Sequence, residues 1–516
     1  MEIAAGIPAL RHASAPALGS WPERRARIAP HRAALVEGER TVTYAELADR
    51  TARLAHVLAE RGIGPGDRVA YLGVNAISVF ETYFATWLLG AIATPLNYRL
   101  AAAEIRYMLA DSGASVLVHG GDADTLVAAT GADVPVLRVG PELDAAIAAA
   151  DPLAAPPRVT LDHPAILLYT SGTTGRPKAA VLTHGNLTWN TVNQLAHVDV
   201  LSTDRALCIS PLFHCVGLGQ VTLPTLFKGG SVEPLASFDA GAVLARIGEA
   251  GITSLSAVPT MLQMMVENPR WETAELGTLH TVLYGGSPVQ ERVARAWLAR
   301  GVQVQQGYGM TEAAPGVYMV PRGAGADRPT SVGVPHFATE VAMLRNGEPS
   351  PVGPEPAELL VRGPHVFTGY WNRPKESAAA FVDGEWFRTG DVLRVAPDGW
   401  ADVVDRVKDV IISGGENIYP AEVEAVLVQL DAVADAAVVA VADARWGEVG
   451  AAYVQLRPGA DTGVEELRAH LEAHLARFKI PKYLVLADEL PRNATGKVRR
   501  IELRARAATE FAGGSR

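Results

Sequence analysis

The sequence predicts an α/β protein with a large N-terminal domain of parallel and mixed sheets flanked by helices, followed by a small separate α+β domain. Three observations carry this. Apolar strand-like runs alternate with amphipathic helical stretches up to about residue 400, the pattern of largely parallel sheets. The 516 residues exceed what one hydrophobic core organises, so at least two domains are expected. The rhythm then changes to short strands, a glycine loop and one amphipathic helix.

In order, DRVAYLGVN reads as a strand, AISVFETYFATWLLG as a helix, AIATPLN as a strand, AAEIRYMLADSG as a helix and ASVLVHG as a strand. The Ala/Pro-rich DAAIAAADPLAAPPR reads as a linker before the strand AILLYT. GGSVEPL, ITSLSAV and TVLYGGS resume the strands, and no fixed-period repeat is found. WADVVDRVKDVIIS reads as two short strands about a charged turn. In GGENIYPAEVEAVLVQL, Pro420 suits a first helical turn, and Glu422 and Glu424 suit its positive end. Val464, Leu467, Leu471, Leu475 and Phe478 mark one helical face. The expected division is residues 1–405 and 406–516, with DRVKD as the joint.

The chain is 48% hydrophobic and 20% charged, with a formal net charge of −10, which argues against a nucleic-acid partner. The basic run WPERRARIAPHR reads as a solvated helix face. Cys208 and Cys215 make neither a disulfide framework nor a zinc spacing, and the N-terminus carries no secretory pattern, so a cytoplasmic location is expected. The most apolar run, TYFATWLLGAIATPL, is shorter than the ~20 residues of a membrane span. No transmembrane segment is expected, and a homodimer is left open.

LLYTSGTTGRPKAAVLTHGNL gathers Thr170, Ser171, Thr173 and Thr174 around Gly172 and Gly175 and places Lys178 beyond them. Glycines let backbone N–H groups turn toward an anion, hydroxyls add donors, and lysine adds a mobile cation. This suits phosphate, although the spacing is not that of a G-x-x-x-x-G-K-[ST] loop and the stretch alone would also suit an ordinary surface loop.

QGYGMTEAAP, WFRTGDVLRV, DRVKDVIISGGENIYPAEVE and LPRNATGKVRR follow in that order. Together with the phosphate stretch they resemble the adenylate-forming superfamily, which includes acyl-CoA synthetases, adenylation domains of nonribosomal peptide synthesis and beetle luciferases. The resemblance runs from TVTYAELADRTARLAHVLAERGIGPGDRVA to GKVRR. It implies ATP, Mg²⁺ and coenzyme A as cofactors. A carboxylate attacks the α-phosphate of ATP, giving acyl-adenylate and pyrophosphate; a thiol then displaces AMP. Both first-step reactants are anions, so cations and oriented donors must hold them in line.

On this resemblance Thr170, Ser171, Gly172, Thr173, Thr174, Gly175 and Lys178 grip the β- and γ-phosphates. Gln306, Gly307 and Gly309 bind the nucleotide, Tyr308 lies against the adenine with the turn of Gly285, Gly286 and Ser287 on its other side, and Asp391 and Arg406 serve the ribose. Thr311 meets the α-phosphate, Glu312 holds Mg²⁺, and Lys497 stabilises the pentacoordinate phosphorus. Lys408 is the hinge. Ser413, Gly414, Gly415 and Glu416 face the pantetheine, and Trp446 and Lys479 the CoA nucleotide. Without the resemblance, Glu312 and Lys497 would read as surface residues and Tyr308 as core.

In SPLFHCVGLG, Phe213-His214 stands where amino-acid-activating relatives carry an aspartate beside the phenylalanine; an unpaired buried ammonium is costly, so the substrate is not expected to be an α-amino acid. His214 resembles an aromatic gate and equally suits a core histidine. The acyl pocket is expected from His214, Val216, Gly217, Val258, Gly286, Met310, Pro315 and Gly316. Small residues at Gly217, Gly219, Gly286 and Gly316 suggest room for a long or bulky fatty or aryl acid. Ala179 stands where the family mostly has glycine. It is either a tolerated methyl or, through a left-handed backbone or crowding of the phosphates, a cause of weakened adenylation in an enzyme that takes up supplied acyl-adenylate. Loading of a carrier-protein thiol is a further alternative.

Overall fold

A computed structural model describes residues 16–170, 177–286, 289–413, 416–443, 446–475, 477–493 and 496–511. The chain forms two compact units: residues up to Glu340 with Val361–Phe387, and Val341–Leu360 with Arg388–Arg516.

The first unit holds two extended sheets. One runs Val334–Pro335, Gly316–Met319, Val304–Gly309, Thr281–Tyr284, Ser254–Ala257, Arg205–Cys208, Ser231–Pro234, Ala33–Glu37 and Arg40–Thr43; the other runs Gly369–Tyr370, Lys178–Thr183, Pro164–Thr170, Ile92–Leu96, Arg68–Leu72, Val116–His119 and Val136–Arg138. The inner strands are parallel and buried on both faces, which is why their sequences are continuous apolar runs. The helix Tyr44–Ala59 starts at a Thr43/Glu46 capping box and buries Leu47, Leu54 and Leu58. In the apolar helix Ile77–Leu88, buried Glu81 accepts from Arg50 at 2.6 and 3.0 Å, so the charge is paired inside the fold. Among the described residues no helix is long and apolar enough to cross a membrane.

In the second unit, Glu348–Ser350, Glu340–Arg345, Ala357–Arg362 and Trp386–Val395 lie side by side, with Ala401–Arg406 paired to the last. A separate sheet orders Glu416–Ile418, Ile411–Ser413, Gly447–Leu456 and Val433–Asp443, with Tyr483–Ala487 parallel to Gly447–Leu456. Pro420 opens the helix Pro420–Leu427, and Asp405 accepts from the Ala421 N–H at 2.9 Å, satisfying one free donor of its first turn.

Two readings of the sequence are corrected. The supposed linker begins as the helix Pro141–Ala149, which buries Leu143 and Ile147 one turn apart. The helix Val464–His474 buries Leu467 and Leu471 but ends before Phe478, whose side chain is 45% exposed. Both cysteines are free and buried.

Candidate active site

The antiparallel strands Pro164–Thr170 and Lys178–Thr183 flank the phosphate stretch and close it with the pair Thr170 and Lys178. The Thr170 hydroxyl donates to the Lys178 carbonyl at 3.3 Å. Ser171, Gly172, Thr173, Thr174, Gly175, Ser287, Gly414 and Gly415 lie outside the described residues, as does the Glu416 side chain.

Gly369–Tyr370 adds to the free edge of Lys178–Thr183, with Tyr370 opposite Ala180. This sets the Tyr370 ring beneath Lys178, whose Nζ lies 3.4 Å from the ring centroid. The Tyr370 hydroxyl donates to Glu312 Oε1 at 2.8 Å. Tyr370 thus contacts both charges, the Lys178 ammonium at its ring face and the Glu312 carboxylate at its hydroxyl. Burial lowers the Lys178 ammonium below its ordinary pKa, with Glu312 and Glu376 opposing. Burial, then Glu312, pushes the Tyr370 phenol far up, so it remains a donor. Sequence reasoning missed Tyr370; its signal is the GYWNRP stretch, which carries no charged residue before Arg373. Arg373 also braces this region: it donates to Asp111 at 2.6 Å, Asp111 accepts from Tyr169, and Tyr107 donates to the Pro177 carbonyl.

Ala179 lies in the strand opposite Tyr169, its side chain fully buried with Ile92, Leu167 and Val181. Among the described residues the non-glycine positive φ angles belong to Ala314, Asn346, Asn372 and Asp383. The left-handed and phosphate-crowding expectations for Ala179 are therefore corrected: the methyl is core. Ala179→Gly should leave ATP–pyrophosphate exchange within about twofold and lower the thermal midpoint, because glycine in a strand costs roughly 0.5–1 kcal/mol. A marked gain in exchange would contradict this.

The strand Val304–Gly309 carries Gln306, Gly307, Tyr308 and Gly309 to the turn holding Met310, Thr311 and Glu312. The Met310 N–H donates to the Pro315 carbonyl at 3.0 Å. A Cβ on Gly309 would lie 1.6 Å from that carbonyl, so only glycine closes this turn. A Cβ on Gly285 would meet the Gly307 carbonyl at 2.6 Å, so these two nucleotide-site candidates are in backbone contact. Tyr308 is buried and packs edge-on against Tyr318.

Thr311 Oγ1 lies 3.7 Å from Cys215 Sγ, joining that turn to the segment of His214, Val216 and Gly217. His214 packs on Phe213, and among the described residues its Nε2 has no hydrogen-bond partner. Burial, helped by Arg99, lowers His214 to about 4, so it is neutral near pH 7. Val258 precedes the helix Pro259–Val266. The expected room beside the small residues is corrected. A Cβ on Gly217 would meet the Pro211 carbonyl at 2.3 Å, on Gly219 the Pro315 Cδ at 2.6 Å, and on Gly316 the His336 Nε2 at 2.7 Å. These glycines serve close packing. Gly286 has open space at its Cβ position but a φ of 90°, so its backbone also requires glycine.

In the second unit Asp391 and Arg406 are cross-strand partners, joined Oδ1 to Nε at 3.0 Å, so the two ribose candidates come together. Crowding by protein atoms, with Arg406, Lys408 and Arg500, lowers Lys497 to about 8, and Asp391 opposes; the exposed side chain means that solvent screens part of this effect. Lys408 lies in the turn between Ala401–Arg406 and Ile411–Ser413, and its carbonyl accepts from Arg504 at 3.0 Å. Ser413 pairs with Gly447, next to the exposed Trp446. Lys479 pairs with Glu422 at 2.7 Å and lies on a separate short helical turn, Arg477–Lys479.

The AMP-binding enzyme family model matches residues 22–371, and the model of the AMP-binding enzyme C-terminal domain matches residues 422–497. A feruloyl-CoA synthase from Amycolatopsis sp is 50% identical, covering 95% of this chain and 99% of that one. An indoleacetate–CoA ligase from Aromatoleum aromaticum is 39% identical, covering 94% and 97%. The o-succinylbenzoate CoA synthetase of Bacillus subtilis in complex with ATP and magnesium ion superposes with a TM-score of 0.84 at 33% identity, covering 95% and 99%.

Proposed function

The chain belongs to the AMP-binding enzyme family and is an AMP-forming acid–thiol ligase that makes acyl-CoA from an aryl or fatty acid with ATP and CoA; from that premise we propose that its acid is aromatic and of moderate size. The observation carrying this reading is the closed packing at Gly217, Gly219 and Gly316, which offers a long alkyl chain no extra depth at those positions. The aryl-acid relatives at 50% and 39% identity support it.

In the first step Lys178 draws the terminal phosphates and Lys497 stabilises charge at the α-phosphorus, while Thr311 contacts the α-phosphate. Asp391 and Arg406 hold the ribose, and Tyr308 lies against the adenine. Glu312 suits Mg²⁺, because it is a partly exposed carboxylate with one oxygen held by Tyr370. Among the described residues no group of three or more His, Cys, Asp or Glu could hold a metal, a donor set fitting an ion that arrives with the nucleotide and keeps phosphate and water ligands. Bound there, Mg²⁺ would neutralise phosphate charge. The thiol step is assigned to the segment Ser413 to Glu416 with Trp446, after a turn at Lys408. Lys479, held by Glu422, is the weaker CoA contact.

The test is AMP and pyrophosphate release with and without CoA across cinnamic, indoleacetic, C12–C16 fatty and α-amino acids. Aromatic acids should exceed fatty acids by at least about tenfold in kcat/KM, amino acids should be inert, and AMP release should require CoA. Turnover confined to fatty acids would overturn the aromatic assignment.

A further inference from the structure

Gly316 faces a buried polar pair. A Cβ placed on it would lie 2.7 Å from His336 Nε2 and 3.0 Å from Gln194 Nε2, so two side-chain nitrogens converge over the glycine. Gln194 is 1% exposed, and among the described residues neither atom of its amide has a hydrogen-bond partner. His336 is 2% exposed, and among the described residues neither ring nitrogen has a hydrogen-bond partner, with the Asn193 backbone near the ring. The adjoining amides are engaged. Asn190 accepts from the Gly316 N–H at 3.1 Å and donates to the Gly219 carbonyl at 2.9 Å, and Asn193 accepts from the Ala338 N–H at 2.9 Å.

Buried polar groups almost always find partners, and an orphan is destabilising. Gln194 and His336 therefore call for a third group. They lie against Gly316, which is joined through Pro315 to the Met310–Glu312 turn of the proposed acid and nucleotide site. The surrounding imidazoles are neutral near pH 7. Burial, then His197 and His365, holds His336 well below its usual range; burial lowers His197, and lowers His365 to about 4. A neutral amide and a neutral imidazole each offer a donor and an acceptor, which suits a hydroxyl better than a second carboxylate.

We propose that Gln194 and His336 are specificity-determining residues that hydrogen-bond a ring hydroxyl of the aromatic acid, remote from its carboxylate. This rests on the aromatic-acid reading above. Entry of the hydroxyl requires a small shift over Gly316, where any side chain would block it.

The experiment compares kcat/KM for 4-hydroxy-3-methoxycinnamic acid and 3-methoxycinnamic acid, which differ by that hydroxyl alone. The wild type should prefer the hydroxylated acid by about 10–100-fold, the scale of one or two buried hydrogen bonds. In Gln194→Met and His336→Phe the ratio should fall toward one. Ligand-free Gln194→Met should also melt at a higher temperature, because an orphan amide is removed. An unchanged ratio in Gln194→Met would assign the pair to a buried water and overturn the proposal, as would equal losses with both acids. Equal wild-type use of the two acids would overturn it while leaving the aromatic reading intact. Turnover of fatty acids with neither cinnamic acid would remove both. Should His336→Phe fail to fold, Gln194→Met decides alone.

Discussion

Lys497→Ala is expected to lower acyl-adenylate formation by at least about 100-fold while leaving thioester formation from supplied acyl-adenylate within a few-fold of wild type. Removing one preorganised stabiliser of transition-state charge costs roughly 10²–10³ in rate. Lys497 is the cation assigned to the pentacoordinate α-phosphorus of the first step, whereas the thiol attacks the acyl carbon and AMP leaves without any attack at phosphorus. ATP–pyrophosphate exchange reads the first step and CoA thioester formation from synthetic adenylate the second; equal loss in both would refute the division of labour. A pH effect accompanies it. Crowding and the neighbouring cations lower Lys497 to about 8. The protonated form is the active one, so exchange should decline as pH rises through about 8. Lys497→Arg should remove that decline even if its overall rate is lower, because a guanidinium stays charged.

The legible part of the site is what sits in contiguous stretches. Lys178, Glu312, Asp391 and Arg406 each carry a charge inside a recognisable run, and the cross-strand ion pair of the last two agrees with their shared ribose assignment. Tyr370 was invisible because its partners come from elsewhere in the chain. A two-residue strand joins the edge of Lys178–Thr183, and Glu312 is 58 positions away. Glycines misled for a different reason. A missing side chain can leave room or admit a neighbour, and at Gly217, Gly219 and Gly316 protein atoms already stand where a Cβ would go. Ala179 was ambiguous because PKA can end a loop or begin a strand; pairing with Tyr169 makes it strand. The alternating α/β order was legible because buried parallel strands are apolar runs. The supposed linker failed because alanine, the best helix former, dominates after Pro141. Phe478 continued a helical period, but the helix has already turned extended at Leu475.

Tyr370→Leu should weaken MgATP binding by about 10–100-fold. Lys178 and Glu312 have opposite charges, and each must remain available to the nucleotide and its metal. In a half-buried setting such groups attract strongly, and a direct ion pair would withdraw both from the ligand. Tyr370 gives each group a contact that competes with that pairing. Its face holds the ammonium, a contact worth about 0.5–2 kcal/mol, and its hydroxyl holds one Glu312 oxygen. Leucine supplies neither hold, and Lys178 can then close onto Glu312. Tyr370→Phe keeps the face and loses the hydroxyl. It should bind ATP nearly as well as wild type and require more Mg²⁺ for half-maximal exchange, because Glu312 is less fixed. Adding Glu312→Gln to Tyr370→Leu removes the competing carboxylate and should restore binding of metal-free ATP. Calorimetric titration of ATP with and without Mg²⁺ reads each case. Wild-type affinity in Tyr370→Leu, or no recovery in the double variant, would show that the tyrosine is not what keeps the two charges apart.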